Sequence, residues 1–158
     1  MRGNINTRLK KLKNSNIDGI ILAKAGLRRM EMDSLITQNL SVESFVPSPG
    51  QGVLCIECLS QHSEIMSKIK KIVHLNTEIC VSAERIFAAQ MDGDCMSPIG
   101  AHATIQKDLI TITGFVATAD GTRYIRNKIE GNKNNYKDLS TKLSNLFIKM
   151  GSKGMLKC

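Results

Sequence analysis

The chain has 158 residues, 42% of them hydrophobic, enough for a packed core in one ordinary domain or two small ones and too apolar for a disordered segment. No apolar run approaches the roughly 18 residues of a membrane span, and the polar, basic N-terminus lacks the apolar stretch of a secretory signal, so a cytoplasmic protein with no membrane partner is expected. The net charge of +8 is uneven: Arg2, Arg8, Lys10, Lys11, Lys13, Lys24, Arg28 and Arg29 face the single acid Asp18 in residues 1–30, which favours a polyanionic partner or substrate.

Residues 5–13 read as a basic amphipathic helix with Ile5, Leu9 and Leu12 on one face, closed by Asn14-Ser15-Asn16. Ile20-Ile21-Leu22-Ala23 is a short continuous apolar run of the kind that forms a strand buried on both faces. A second helix follows from about Ala25, with Leu27 and Met30 turned inward. This helix–strand–helix order belongs to an α/β unit. Pro47, Pro49 and Gly50 make a loop, and Gln51-Gly52 leads into Val53–Cys58, which reads as another strand.

Ser60-Gln61-His62-Ser63 reads as a linker to an amphipathic helix carrying Ile65, Ile69, Ile72 and Val73. The next helix, capped by Asn76 or Thr77, carries Ile79, Cys80, Ala83, Ile86 and Phe87 and ends near Met91. Three strand-like segments come after it: 101–105, 109–116 and 122–129, the last two joined through the hairpin signal Asp120-Gly121. A last helix runs from about Tyr136 to Met150, with Gly151 as its stop. The expected fold class is therefore α/β plus α+β: a partial α/β domain, then a small three-stranded antiparallel sheet covered by helices.

Among the five cysteines Cys95 stands apart. It follows a helix end and a turn, Asp92-Gly93-Asp94, and precedes Pro98, so its thiol is presented at an edge. A cysteine is more often a small buried hydrophobe, and Asp92 and Asp94 disfavour a thiolate there. A thioether anchor formed once fits this setting better than repeated nucleophilic attack.

The other constellations carry less chemistry. Cys55-Ile56-Glu57-Cys58 lacks the second ligand pair of a zinc site and sits in an apolar strand rather than at a redox turn, so no metal site is expected. His62, His74 and His102 form no spaced cluster, and no phosphate-loop, dinucleotide or serine-hydrolase motif occurs. Lys10, Lys11 and Lys13 read as a solvated face. Arg2, Arg8 and Arg29 lie on helices beside a strand, where α/β proteins present ligands, and an arginine fork binds a carboxylate through two parallel hydrogen bonds. Scarce aromatics, 4%, weigh against a single-strand nucleic-acid platform, so nucleic acid is not an expected partner.

Four motifs in order carry a resemblance: Arg2-Gly3-Asn4 with Thr7-Arg8-Leu9; Ala23 through Arg29; Gly50-Gln51-Gly52 with Ile56-Glu57-Cys58; and Ala83-Glu84-Arg85 leading to Cys95 and Pro98-Ile99-Gly100. Together they resemble the hydroxymethylbilane synthase (porphobilinogen deaminase) family over nearly the whole chain. The resemblance implies that residues 1–52 are the later part of a second α/β domain. It makes 53–72 a segment returning to a first domain, and 73–158 a C-terminal domain that anchors the cofactor. It implies a transferase of tetrapyrrole (haem) biosynthesis that joins four porphobilinogen units into hydroxymethylbilane with loss of ammonia. Cys95 would hold a covalent dipyrromethane primer. Arg2, Arg8 and Arg29 would hold the acetate and propionate groups of the growing pyrrole chain, and Gln51 would lie near the cofactor.

The resemblance omits the family's first domain and early second domain, which supply the catalytic aspartate. No catalytic residue is assigned here, and the chain alone is expected to be inactive and to associate with a complementary N-terminal fragment. Asp94 also stands where the family commonly has glycine. The alternative is a non-catalytic basic module that binds nucleic acid or another polyanion.

Overall fold

The computed structural model describes residues 2–93 and 96–156; Asp94 and Cys95 lie outside the described residues. The chain divides into two compact units, Met1–Ser41 and Val42–Cys158.

The first unit holds α1 (Ile5–Lys13), α2 (Lys24–Arg29) and a 3-10 turn at Asp33–Leu35. Asn4 caps α1: its Oδ1 accepts from the Thr7 backbone N–H at 2.9 Å and from the Thr7 hydroxyl at 2.8 Å. The helices meet at Gly26, where a Cβ would lie 2.7 Å from Ile5 Cδ1, so a side chain there would displace the tip of Ile5. Leu27 is buried here. After α2 the Met32 N–H donates to Leu27 O and the Glu31 N–H to Arg28 O, a Schellman ending with Glu31 in the left-handed position at φ 57.

The strand expected at Ile20–Ala23 is not formed: these residues are irregular, and Ile21 is exposed. Val53–Cys58 in the second unit is likewise irregular, with Leu54 80% exposed. Both runs have the residues of strands, but a strand needs a neighbour for its N–H and C=O groups. Among the described residues all strands belong to one sheet far along the chain. The α/β character expected of residues 1–52 is thus present only in its helices.

The second unit contains α3 (Ser63–Lys70), α4 (Leu75–Met91), β1 (Ile99–Gln106), β2 (Leu109–Ala117), β3 (Tyr124–Asn132), α5 (Tyr136–Lys149) and α6 (Ser152–Met155), with a 3-10 turn at Lys133–Asn135. The sheet is antiparallel in the order β1-β2-β3, as expected, with Gln106 opposite Leu109 and Ala117 opposite Tyr124. Alternation along β2 buries Ile110, Ile112, Gly114 and Val116 on one face, and α4 and α5 cover it. The rings of Phe87 and Phe147 meet edge to face there, centroids 4.9 Å apart. Gly114 lies beneath both rings and has no room for a side chain.

Helix α4 begins earlier than expected. Its N-cap is His74, whose Nδ1 accepts from the Thr77 N–H, and Asn76 and Thr77 lie inside the first turn. Gly151, at φ +90, ends α5 as expected. The hairpin between β2 and β3 is closed by Asp120, which accepts from the hydroxyls of Thr118 and Thr122 and from the Thr122 N–H. These bonds hold its carboxyl below the usual value.

Candidate functional site

In the first unit the Arg2-Gly3-Asn4 motif is the entry to α1. Gly3 takes φ +129, and a Cβ there would lie 2.8 Å from Thr7 Cγ2, so the turn into the Asn4 cap needs glycine. Arg8 Nε donates to Gly3 O at 2.9 Å, and Lys11 Nζ donates to Arg2 O at 3.0 Å. The first bond orients the Arg8 guanidinium. Its terminal nitrogens make no protein hydrogen bond among the described residues. Arg8 is half-buried and lines a depression of about 250 Å³ with Ile17, Gly19, Ile20 and Ile21.

Arg29 ends α2, three residues beyond Gly26, as Arg8 is three beyond Ile5. The helix faces that touch therefore carry one arginine each. Arg2 and Arg29 are exposed, and among the described residues neither forms an ion pair, nor does Arg8. Arg28 differs: it pairs with Asp33 at 3.4 Å.

In the second unit Gln51 sits on two overlapping β-turns. The Gln51 N–H donates to Ser48 O and the Val53 N–H to Gly50 O. Gly50 (φ +73) and Gly52 (φ +83) occupy the third position of each, and Pro49 precedes Gly50, the type II pattern. Gln51 is exposed between them. The loop is tied to β1, where the Ala101 N–H donates to Pro47 O at 2.9 Å, and to α4, where the Gly50 N–H donates to Glu84 Oε2 at 2.7 Å.

Glu84 is the residue the sequence reading passed over, named only as part of a motif. It is 5% exposed, and its Oε1 also accepts from the Ala103 N–H at 2.8 Å, with His102 Nδ1 3.7 Å away. The available signal was its position: it adjoins the buried stripe Ala83, Phe87, Met91 on α4, where a carboxylate must find donors.

At the end of α4, Asp92 adopts the left-handed conformation (φ 58, ψ 37). Gly93 follows, packed so closely on Ser97 and Ile99 that a side chain would not fit. Cys95 itself lies outside the described residues. Of the other cysteines, Cys55 is exposed and Cys58 and Cys80 are half-buried. Burial, then the charge of Glu84 one turn on, pushes the Cys80 thiol up, which makes it a poor nucleophile. Among the described residues no group of three or more His, Cys, Asp or Glu is placed to hold a metal ion, and no helix is long and apolar enough to cross a membrane.

Residues 1–67 match the family model described as porphobilinogen deaminase, dipyromethane cofactor binding domain, and residues 78–149 match that of the porphobilinogen deaminase C-terminal domain. The chain belongs to the porphobilinogen deaminase family. Among curated relatives it is 38% identical over 157 residues to the porphobilinogen deaminase of Pelotomaculum thermopropionicum, covering 99% of this chain and 50% of that protein. It is 41% identical over 149 residues to the enzyme of Clostridium botulinum strain Kyoto, covering 94% and 50%. It is 41% identical over 159 residues to that of Campylobacter hominis, covering 99% and 51%. The chain thus spans about half the length of the curated relatives it matches. Cys95 falls within the stretch matched to the C-terminal domain, beyond the one matched to the cofactor-binding domain. A general polyanion-binding module gains no support from these matches.

Proposed function

We propose that this chain is the anchoring and carboxylate-binding part of a porphobilinogen deaminase, a deaminating transferase that joins four porphobilinogen units into hydroxymethylbilane in cytoplasmic tetrapyrrole biosynthesis. The observation that carries the reading is the match of both parts of the chain, in order, to two domain models of one family. Under it, residues 1–52 are the later part of the second domain, 53–72 return to the first, and 73–158 form the C-terminal domain. Exposed Leu54, Ile56 and Ile72 support the middle assignment, because such side chains need an apolar cover. Their partner is the family's N-terminal half, which also supplies the catalytic aspartate.

The donor set suits the cofactor. Dipyrromethane carries acetate and propionate groups, and Arg2, Arg8 and Arg29 offer guanidinium forks that no other side chain occupies among the described residues. When bound, the cofactor supplies the terminal pyrrole carbon to which a substrate unit is joined. The chain's own residues bind and orient. Cys95 holds the primer by a thioether. Arg8, aimed by its bond to Gly3 O, holds a carboxylate and keeps its pyrrole in a fixed pose. Fixed positive charge also offsets the negative charge that accumulates with each added unit. Gln51, exposed on a rigid double turn, contributes a neutral amide near the cofactor.

Porphobilinogen consumption tests the reading. The chain assembled with the complementary N-terminal half should consume porphobilinogen, and the chain alone should not. Arg8→Ala should lower kcat/KM about 10- to 100-fold, the loss of one charge-assisted hydrogen-bonded pair. Turnover by the chain alone, or an indifferent Arg8→Ala, would refute it.

A further inference from the structure

Glu84 is the single buried charged side chain among the described residues, and the chemistry proposed above makes no use of it. Its two oxygens serve two different backbones. One accepts from Gly50 at 2.7 Å, inside the double turn that presents Gln51. The other accepts from Ala103 at 2.8 Å, on β1. Strand β1 is an edge of the sheet, so alternate N–H groups along it point away from β2. Ala101 and Ala103 are two of these: Pro47 O accepts from the first and Glu84 from the second. The loop seats closely at this edge, since a Cβ on Gly100 would lie 2.8 Å from Val46 O.

Both backbone groups bonded to the carboxylate are donors, and His102 Nδ1 lies 3.7 Å from Oε1. A glutamine would meet one of them with its own N–H₂ group, and an aspartate is one methylene too short to reach both. The arrangement therefore calls for an ionised side chain of glutamate's length. Its helix ends at Met91, where Asp92 takes the left-handed conformation.

We propose that Glu84 is a positioning residue: its carboxylate clips the Gln51 turns to α4 and to the edge of β1, so that Gln51 is held in place by that helix and strand. The functional half of this statement rests on the porphobilinogen deaminase reading; the clip itself does not.

Amide hydrogen exchange on the full chain tests the clip. In Glu84→Gln at least one of the Gly50 and Ala103 amides, the one left facing the glutamine N–H₂, should exchange about 10- to 100-fold faster, the range expected when a hydrogen bond to a charged group is lost. The amides of Ile112 and Val116 in the sheet core should keep their rates, which verifies that the variant is folded. Unchanged exchange at both Gly50 and Ala103 would overturn the clip. The role in the reaction is tested by a double-mutant cycle on kcat/KM in the chain assembled with the N-terminal half. Glu84→Gln should add no further loss to Gln51→Ala, because it acts through Gln51. Losses that multiply would mean a merely structural Glu84 and would overturn the positioning role. An unmodified assembly without turnover would strike the porphobilinogen deaminase reading and leave the clip to be decided by exchange.

Discussion

Replacing Gly114 by alanine puts a methyl group where two buried rings already are. The new Cβ would lie 2.5 Å from Phe87 Cζ, 2.7 Å from Phe87 Cε2 and 3.1 Å from Phe147 Cζ. Carbon atoms rest at about 3.5–4.0 Å, so the Phe87 ring must retreat by about 1 Å. It has no free volume to retreat into: Phe87 and Phe147 are both 0% exposed and packed on each other. Overpacking of this kind costs about 1–3 kcal/mol. Alanine recovers part of this by restricting the unfolded backbone, about 0.5–1 kcal/mol. A net loss of about 1–2 kcal/mol follows, which lowers the midpoint of thermal unfolding by about 2–8 °C for a domain of this size. Thermal and urea unfolding of the full chain, followed by circular dichroism, measure it. A Gly114→Ala chain as stable as the parent, or more so, would refute the packing argument. The site is coupled to this core, because Phe87 lies one turn from Glu84 on the same helix.

Glu31→Gly should stabilise the first unit by about 0.5–1 kcal/mol, since glycine relieves the left-handed backbone at φ 57; a lower unfolding midpoint would contradict this. Asp120→Asn should weaken the β2–β3 hairpin at neutral pH. The folded carboxyl titrates below its ordinary 3.8, so its contribution is complete above that value and fades as pH falls through the lower folded value. The stability difference between parent and variant should therefore shrink under strong acid, and a pH-independent difference would count against the Asp120 bonds. Iodoacetamide should label exposed Cys55 well before Cys80, about tenfold or more apart at pH 8, and Glu84→Gln should speed Cys80; equal rates would remove the burial and charge argument.

Local signals in the chain were readable where local physics decides the outcome. The 3.6-residue spacing of Ile5, Leu9 and Leu12 and of Leu139, Leu143, Leu146 and Phe147 marked α1 and α5. The alternation in Leu109–Val116 and the Asp120-Gly121 signal marked the sheet. Ile20–Ala23 and Val53–Cys58 failed for a non-local reason, because a strand forms only where a partner backbone is available. His74 was missed as a cap because imidazole is outside the usual Ser, Thr, Asp and Asn set. Glu84 was hidden by the reverse logic: a charged residue is read as exposed unless the fold supplies two donors, and those come from residues 34 and 19 positions away. The arginines were legible as a class of chemistry, while the bond that aims Arg8 depends on the Gly3 turn.

The proposed attachment of the dipyrromethane to Cys95 is tested most directly by the intact mass of the chain purified from its assembly with the N-terminal half. The predicted result is a mass increase equal to one dipyrromethane that disappears in Cys95→Ala. An unmodified mass in that assembly, or an increase that survives Cys95→Ala, would contradict it.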